Sequence, residues 1–355
     1  MKSYIICCRN SGELMRECVE KSYGHIRYEL PFIGALCVDV PEKNTAAVLK
    51  LRGITAATED MKVTKFEAQE SSKSCMGNAD AGSLGRGVSI AVLDTGTHPH
   101  YDLIKPCSRL LFFKDFVNSR TAPYDDDGHG THVSGIAAGN GFSGAPKGIA
   151  PEASIVSLKV LDSDGSGNVS DILAAMQWIC DNHKKYNIRV VNLSLGMTYD
   201  GSLRIDPLHL GVGALYKRGI TVVAAGGNSG PAAKTISSPG NSPYVLTAGC
   251  CGKSGVSEFS SRGPAGTYMK PDLVACGEDI CSLAPGKTAT AIQSGTSMSA
   301  PAVSGAAACL YSAYPQLTAC QVKKILMSAT VPFDDEDKNS QGYGRLDTEM
   351  LKNLI

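Results

Sequence analysis

The chain has 355 residues, of which 43% are hydrophobic and 19% are charged, an ordinary balance for a globular protein that can bury a sizeable core. Lys and Arg together number 34, as do Asp and Glu, so the net charge is zero and no basic excess favours nucleic acid or an anionic membrane as a partner. No stretch approaches the ~20 apolar residues of a membrane-spanning helix.

Residues 1–66 follow a compact pattern of their own. Four segments are typical of strands and two are typical of helices, in the chain order "SYIICCR" (strand), "SGELMRECVEKSYG" (helix), "IRYEL" and "IGALCVDV" (strands), "PEKNTAAVLKLRG" (helix) and "ITAATEDMKV" (a last strand). The order β-α-β-β-α-β predicts a small ferredoxin-like α+β domain. This segment contains no catalytic constellation.

Residues 67–85 are small and polar, which predicts a linker that would form the N-terminal segment of a mature protein. From residue 86 to residue 355 apolar strands alternate with helix patterns. The strands "GVSIAVLD", "SIVSLKVL", "IRVVNLSL" and "GITVVAAGG" lack polar alternation, so we expect a parallel sheet covered by helices on both faces. Among the helices, Ile172, Met176 and Ile179 recur at helical spacing, and Thr318 is expected to cap the helix that follows it.

Polar residues follow several of these strands. Asp94 ends one strand, Ser194 to Gly196 end another, and Asn228 follows a third. Sites in such sheets form at the carboxyl ends of the strands. The segment "DDDGHGTHVSG" opens a predicted helix nearby and packs three carboxylates and two histidines into eleven residues, Asp125 to Gly135.

Three interpretations of that segment compete: a zinc site built on His129 and His132, a general base, or a loop of solvated charges. The segment "QSGTSMSAP" decides between them, because Ser297 stands there at the start of a predicted helix. A helix N-terminus presents unpaired N–H groups and the positive end of the helix dipole, which suit a nucleophile whose attack creates an oxyanion. Such a serine requires an adjacent base.

The chain resembles the subtilisin-like serine proteases, the subtilases of family S8. The resemblance rests on "AVLDTG" around Asp94, "GHGTHVSG" around His129, "SGTSMSAP" around Ser297 and "AAGGNSG" around Asn228. It covers about residues 75–347 and implies a three-layer α/β fold with a mostly parallel central sheet. "SPGNSPYVLTAG", "FSSRGP" and "KPDLVACG" look most like the AprX-like branch of bacterial, often intracellular, enzymes.

The resemblance implies a role for each matching residue. Ser297 attacks the scissile carbonyl, His129 takes and returns its proton, Asp94 orients the imidazole, and Asn228 faces the oxyanion. His132 is then interpreted as a packed, hydrogen-bonded helix residue. Of the three acids, Asp127 is best placed to line the cleft, and the other two, Asp125 and Asp126, are expected to be solvated.

The same resemblance implies a substrate that binds as an added β-strand between two enzyme segments. The expected edges are Gly165, Ser166 and Gly167 on one side and Ser194, Leu195 and Gly196 on the other. The primary specificity (S1) pocket would have walls of Ala225, Gly226 and Gly227, with Ser237 near its floor. The S4 pocket would be apolar and shaped by Val169, Ile172 and Leu195. Together these imply protein or peptide substrates with hydrophobic residues at P1 and P4.

The N-terminal domain, residues 1–66, is interpreted as a propeptide that chaperones folding and inhibits the enzyme. Its end would lie in the cleft, with Val63 in S4, Phe66 in S1 and cleavage after Phe66. Cleavage further along, up to Gly77, is the alternative. A rival function is a peptide-binding pseudoprotease or a zymogen held inactive by this domain; the presence of all three triad residues disfavours the pseudoprotease.

No cofactor is expected. Many subtilases have a calcium loop after the histidine helix, but "GNGFSGAPKG" has no acid there; "FDDEDKNSQG" is acidic enough to bind Ca²⁺ weakly, although a solvated loop is favoured. The 13 cysteines include neighbours and form an odd number, which favours reduced, mostly buried thiols. Cys276 and Cys281 are at most a weak metal or redox pair. Because the apolar core of the N-terminus is also too short for a signal peptide, the sequence predicts a cytoplasmic protein, with export by an unseen route left open.

Overall fold

The computed structural model of the protein describes residues 1–8, 13–21, 24–66, 84–198 and 205–355. The linker predicted over 67–85 therefore lies almost wholly outside the described residues, and so does the alternative cleavage site at Gly77.

The N-terminal unit is an antiparallel four-stranded sheet with helices, as the sequence predicts. Its elements are β1 (Lys2–Cys8), α1 (Glu13–Lys21), β2 (His25–Leu30), β3 (Ala35–Val40), a 3₁₀ turn (Glu42–Asn44), α2 (Thr45–Leu49) and β4 (Ile54–Glu59). The strand order is β2-β3-β1-β4, with every neighbouring pair antiparallel. Ile6, Leu36 and Val48 are fully buried in a hydrophobic cluster of this unit, and its order of elements is the ferredoxin-like one.

The prediction of a single last strand over "ITAATEDMKV" is wrong. The segment contains two strands, β4 and β5 (Lys62–Lys65), and β5 belongs to a different sheet. Asp60 lies at the break, where its carboxylate accepts hydrogen bonds from the backbone N–H of Ser170 at 2.9 Å and from the Ser170 hydroxyl at 2.6 Å. The chain therefore leaves the first sheet at Asp60, because that side chain is held by a helix N-terminus of the larger unit.

The remaining elements form the larger unit. The strands after β5 are β6 (Ser89–Asp94), β7 (Leu110–Asp115), β8 (Ser154–Lys159), β9 (Ser166–Asn168), β10 (Ile188–Leu193), β11 (Leu195–Gly196), β12 (Thr221–Ala225), β13 (Leu246–Cys251), β14 (Leu273–Cys276), β15 (Ile280–Leu283), β16 (Thr290–Gln293), β17 (Thr330–Val331) and β18 (Arg345–Leu346). The helices are α3 (Tyr101–Ile104), α4 (His129–Ala138), α5 (Val169–Asn182), α6 (Pro207–Lys217), α7 (Thr296–Ala313), α8 (Ala319–Ser328), α9 (Lys338–Gln341) and α10 (Thr348–Lys352).

Nine strands form the central sheet in the order β17-β18-β14-β13-β12-β10-β6-β8-β7. Every neighbouring pair from β7 to β18 is parallel, and only the β17–β18 pair at the edge is antiparallel. The predicted mostly parallel sheet is thus confirmed. Strand β7, whose "LLFFKD" alternates in burial, carried no prediction from the sequence.

Helices cover both faces of this sheet, which explains why its strands lack polar alternation. Along β6, Ile90 and Val92 are buried in a cluster with residues of α4, α7 and α8, whereas Ala91 and Leu93 are buried in a second cluster with residues of α5 and α6. The result is three layers with two cores. The predicted inward positions of α5 are confirmed, because Ile172, Met176 and Ile179 are fully buried, and Thr318 caps α8 in a capping box with Gln321.

Candidate active site

Asp94 and His129 form a buried pair at the carboxyl edge of the sheet. Asp94 is the last residue of β6 and His129 is the first residue of α4. Nδ1 of His129 lies 2.7 Å from Oδ1 of Asp94, and the two side chains are 3% and 0% exposed. Among the described residues, Nε2 of His129 has no hydrogen-bond partner. The contact at Nδ1 fixes the ring so that Nε2 remains for a proton transfer.

Ser297 lies on the first turn of α7, directly after Thr296, and is fully buried. Its hydroxyl donates a hydrogen bond to the carbonyl oxygen of Ser194 at 3.0 Å, and the hydroxyl of Ser194 donates in return to the carbonyl oxygen of Ser297 at 2.9 Å. Ser194 follows β10, which is the neighbour of β6 in the sheet. This reciprocal contact holds the start of α7 at the same edge of the sheet as Asp94. A direct hydrogen bond between Ser297 and His129 is not formed.

Asn228 is oriented by the residue that precedes Ser297. Its Oδ1 accepts hydrogen bonds from the backbone N–H of Thr296 at 3.0 Å and from the Thr296 hydroxyl at 2.9 Å. Two donors at the oxygen define which end of the amide is which, so the Nδ2 end points away from Thr296. Asn228 also lines a cavity of about 550 Å³. Its amide donor therefore belongs to a cleft rather than to a turn.

The strand β5 lies in this cleft as the middle strand of a small antiparallel sheet with the order β11-β5-β9. Val63 pairs with Gly167 and Thr64 pairs with Ser166 on one side; Thr64 pairs with Gly196 and Lys65 pairs with Leu195 on the other. The backbone N–H of Lys65 also donates to the carbonyl oxygen of Gly165 at 2.8 Å. A strand of the chain itself thus pairs with Gly165, Ser166 and Gly167 on one predicted edge and with Leu195 and Gly196 on the other, whereas Ser194 contacts Ser297 instead.

Phe66 follows β5 and lines the cavity together with Gly196, Ser237 and Phe259. A Cβ atom on Gly196 would lie 2.7 Å from the tip of the Phe66 ring, so glycine at this position leaves space for the ring. Phe259, inside the segment "FSSRGP", was not predicted to line the cavity. The segment resembles a family motif, but the motif did not indicate that the Phe259 ring faces the cavity.

The predicted S1 residues contribute unequally to this cavity. Ser237 lines it. Gly227 lies against Ser237, since a Cβ there would come within 2.6 Å of the Ser237 hydroxyl oxygen, and its φ is +107°. Ala225 and Gly226 are buried and, within the described part of the chain, are not among the lining residues.

The predicted S4 residues form an apolar environment for Val63. Val63 is 1% exposed and belongs to the same buried cluster as Val169, Ile172 and Leu195. Val63 therefore lies in the apolar surroundings predicted for it, whereas Phe66 shares its cavity with only one of the predicted S1 residues, Ser237.

The prediction that Asp125 and Asp126 are solvated is wrong for Asp125, whereas Asp126 is exposed as predicted, although it forms an ion pair. Asp125 is 7% exposed, and its carboxylate accepts five hydrogen bonds, from Thr95 Oγ1, from the backbone N–H groups of Asp127, Gly128 and Thr131, and from Thr131 Oγ1. Asp126 pairs with the fully buried ammonium group of Lys159 at 2.6 Å. Both acids fold the turn before His129, and local sequence gives no sign of either set of partners.

The other two polar residues of this segment are placed as predicted. His132 is fully buried, and its Nε2 lies 3.1 Å from the carbonyl oxygens of Ile280 and Ala291. Burial lowers the pKa of His132 to about 4. Asp127 lies beside β5, where its Oδ2 pairs with the ammonium group of Lys65 at 2.5 Å.

The N-terminal unit contacts α5 through polar groups. The guanidinium of Arg27 pairs with Asp60 and contacts the Ser170 hydroxyl. The Tyr28 hydroxyl donates to Asp171 at 2.8 Å. Burial is the main cause that raises the pKa of the Asp171 carboxyl. The unit is thereby held at the N-terminal end of the helix that shapes the S4 surroundings.

The loop after α4 is held at its two ends by a cation from another segment, Arg109, which directly precedes β7. The guanidinium of Arg109 donates to the carbonyl oxygens of Ala138 at 2.6 Å and Ala153 at 2.8 Å and also to that of Asp102. The Asp102 carboxylate accepts from the backbone N–H groups of Gly141 at 3.0 Å and Ser143 at 2.7 Å. The short loop is thus closed by side chains.

The acidic segment near the C-terminus is partly engaged in protein contacts. Glu336 lies 3.5 Å from Arg262, and Asp337 caps α9 by accepting from the backbone N–H of Ser340. Asp334 and Asp335 are exposed. No group of three or more His, Cys, Asp or Glu residues in the described ranges is arranged to hold a metal ion.

The twelve cysteines that the structure describes form no disulfide with one another, and seven are buried. Cys276 of β14 lies opposite Cys251 of the neighbouring β13. The hydrogen bond from Cys251 lowers the pKa of Cys276 to about 7. None of the described helices is long and apolar enough to cross a membrane.

Comparisons with known proteins give a consistent result. The family model described as "Subtilase family" matches residues 85–344. The chain is 39% identical over 297 residues to the serine protease AprX of Bacillus subtilis (strain 168), an alignment that covers 75% of this chain and 66% of AprX. It is 31% identical over 359 residues to subtilisin E of the same strain, and that alignment covers 97% of this chain and 88% of subtilisin E. It is 35% identical over 258 residues to subtilisin DY of Bacillus licheniformis, with 72% of this chain and 87% of that protein covered.

Proposed function

The chain belongs to the subtilase family of serine proteases, and from that membership we propose that it is an endopeptidase with Asp94, His129 and Ser297 as its catalytic triad. The observation that carries this proposal is the 2.7 Å contact between Asp94 and His129 at the sheet edge where Ser194 also holds Ser297. A buried carboxylate on Nδ1 leaves Nε2 as the base.

In the proposed reaction, Ser297 Oγ attacks the scissile carbonyl carbon while His129 Nε2 takes the hydroxyl proton. The histidine then gives that proton to the leaving amine, and water hydrolyses the acyl-enzyme by the same path. The serine hydroxyl must first leave the carbonyl oxygen of Ser194 and turn towards His129. This rotation of the hydroxyl is expected, because catalytic hydrogen bonds often reach their working geometry only when an uncleaved substrate is bound.

Asn228 Nδ2 and the backbone N–H of Ser297 are proposed to stabilise the oxyanion. The orientation of the Asn228 amide by Thr296 supports this role, since the donor end needs no rearrangement during the reaction. The first N–H groups of α7 have no partner within the helix, so the backbone of Ser297 adds a second donor.

Residues 1–66 are proposed to be a propeptide that occupies the cleft until it is cleaved and released. The support is the strand β5, which pairs on both sides with the cleft segments, buries Val63 in an apolar cluster and places the Phe66 ring against Gly196. The proposed enzyme therefore prefers protein or peptide substrates with hydrophobic residues at P1 and P4. Its first substrate would be its own tail.

Covalent labelling tests this function directly. A fluorophosphonate probe reacts with an activated serine, so the purified protein should be labelled after self-processing and the Ser297→Ala variant should not. Ser299→Ala is the matched control, because it removes a hydroxyl of the same helix that donates to the carbonyl oxygen of Ala275. No labelling of processed wild type would favour a peptide-binding pseudoprotease; activity that is lost with a zinc chelator would favour a metal hydrolase.

A further inference from the structure

The ion pair between Lys65 and Asp127 joins the tail to the turn that precedes His129. Lys65 Nζ lies 2.5 Å from Asp127 Oδ2, and the two side chains are 23% and 8% exposed. Lys65 is the residue immediately before Phe66, and its backbone is fixed on both sides by Gly165 and Leu195. If Phe66 is the P1 residue, as proposed above, Lys65 is the P2 residue.

The site for this lysine is shaped as well as charged. A Cβ atom on Gly165 would lie 2.6 Å from the Cγ, Cδ and Cε atoms of Lys65, and Gly165 has a φ of +70°. The glycine therefore leaves space for the aliphatic stem to cross the backbone on its way to Asp127. A long, unbranched cationic side chain fits this path, whereas a shorter side chain would not reach Asp127.

Asp127 is held in place by the enzyme itself. Its Oδ1 accepts a hydrogen bond from the backbone N–H of His129 at 3.1 Å, which leaves Oδ2 directed at Lys65. The two neighbouring acids have other partners: Asp126 pairs with Lys159, and Asp125 accepts five hydrogen bonds. Neither therefore competes with Asp127 for Lys65. Within the described residues, Lys65 is the cation that pairs with Asp127.

When the tail leaves, the Asp127 carboxylate loses its cation. A substrate that brings Lys or Arg to the same place restores the charge pair, whereas a neutral P2 residue leaves the carboxylate uncompensated and an acidic one repels it. We propose that Asp127 is a specificity-determining residue that selects Lys or Arg at P2, so that preferred substrates carry a basic residue directly before a hydrophobic P1 residue. This inference rests on the proposed peptidase function.

The test compares chromogenic peptides of the form Ala-Ala-X-Phe, with X as Lys, Ala or Glu. Self-processed enzyme is used, and its active sites are counted with the fluorophosphonate. For wild type we expect kcat/KM to be about 10-fold higher with Lys than with Ala, which corresponds to about 1.4 kcal/mol, and lower with Glu than with Ala. The Lys-to-Ala ratio should fall as salt is added, since the cleft is partly open to solvent.

Asp127→Asn should bring the Lys-to-Ala ratio close to one, because Asn retains an acceptor for the His129 N–H but has no charge. Asp126→Asn is the matched control and should keep the wild-type ratio. A loss of the ratio in Asp164→Asn instead would overturn the inference in favour of the exposed acid that also lines the cavity.

The wild-type measurement alone can also decide, should a variant not fold. A Lys-to-Ala ratio near one, with the Ala peptide cleaved, overturns the role of Asp127 and leaves the peptidase function standing. If no peptide is cleaved and no serine is labelled, the proposed function fails and this inference fails with it.

Discussion

His129 Nδ1 and Asp94 Oδ1 lie 2.7 Å apart in a site where both side chains are almost completely buried. In the proposed mechanism the carboxylate holds one tautomer of the imidazole and stabilises the cation that forms when the serine loses its proton. His129→Ala or Ser297→Ala should therefore lower kcat by about 10⁶-fold, the magnitude known for the subtilisin triad. Asp94→Asn should cost about 10⁴-fold. Steady-state hydrolysis of a P1 Phe peptide measures these losses, and a His129→Ala variant with near-normal activity would contradict the triad.

The Asn228 amide can be tested at its two ends separately. Asn228→Ala removes both ends, whereas Asn228→Asp keeps an oxygen for Thr296 and removes the Nδ2 donor. Both should lower kcat by about 10²–10³-fold while KM changes little, because the donor acts on the transition state more than on the substrate. If Asn228→Asp retained full activity, Asn228 would only position Thr296.

The sequence allowed the mostly parallel central sheet and the polar residues at its carboxyl edge to be predicted, because both leave local signals; the triad roles came from the family resemblance. Strands such as β6 and β10 are unbroken apolar runs that end in a polar residue, and a parallel sheet brings such ends together. The partners of Asp125 and the cation of Asp127 were not predictable in this way. Lys65 and Asp127 lie 62 positions apart, and nothing in either segment names the other.

The strand β5 shows the same limit at the level of the fold. Its residues follow β4 after only two intervening positions, with no turn residue such as Gly or Pro between them, so the sequence suggested one strand. The break depends on Asp60, whose partners Arg27 and Ser170 come from other elements. Tertiary contacts therefore decided the sheet to which each half belongs, and strand propensity could not.

The burial of His132 predicts a loss of stability in acid. Its pKa is lowered to about 4 in the folded protein, against a value of ~6.5 for an unfolded chain. Below pH 6.5 the unfolded chain takes up a proton that the folded protein refuses, so the stabilisation is complete above pH 6.5 and is lost as the pH falls to 4. The loss is of the order of 3 kcal/mol.

Urea unfolding between pH 4 and 7 measures this dependence, in a Ser297→Ala background that prevents self-digestion. His132→Gln keeps a donor near the carbonyl oxygens of Ile280 and Ala291 but cannot be protonated. The pH dependence over this window should become flatter in that variant. An unchanged slope would assign the acid sensitivity to other groups.

Arg109 should stabilise the loop after α4 without help from a metal. Its guanidinium satisfies three carbonyl oxygens in a largely buried position, and burial lowers its pKa to about 10, where it is still charged at neutral pH. Arg109→Ala should lower the free energy of unfolding by about 3 kcal/mol, since the carbonyls lose a charged donor. Arg86→Ala, which removes an exposed partner of Glu152, should have no measurable effect. We expect EDTA to leave the Tm unchanged; a large fall in Tm would reveal a calcium site.

Asp60 should govern how long the N-terminal unit remains bound after cleavage. Its carboxylate caps α5 through Ser170 and pairs with Arg27. Asp60→Ala should weaken inhibition about 10-fold or more, because charged hydrogen bonds of this kind contribute about 1.5–3 kcal/mol each. The delay before peptidase activity appears during refolding should shorten. Glu59→Ala, a change at the exposed neighbouring residue, should leave the delay as it is in wild type.

The register of β5 predicts where the proposed self-cleavage occurs. Antiparallel pairing to β9 and β11 leaves the tail no freedom to slide, since a shift of one residue would take Val63 out of its buried cluster and move Phe66 from its position over Gly196. The bond after Phe66 is then the scissile one, and the mature chain should begin at Glu67. Mass spectrometry of refolded protein measures that end, and Phe66→Asp should slow its appearance because S1 would receive a charge.

Self-cleavage also requires that the activity come from this chain. Pure Ser297→Ala should remain at its full 37.2 kDa under conditions in which wild type is processed. Equal processing of Ser297→Ala would mean a contaminating protease, and full activity of unprocessed wild type would mean that the tail does not inhibit. A first mature end after Glu67 and up to Gly77 would favour the alternative cleavage in the linker, whereas an end before Val63 would contradict the placement of β5 as a product-like strand.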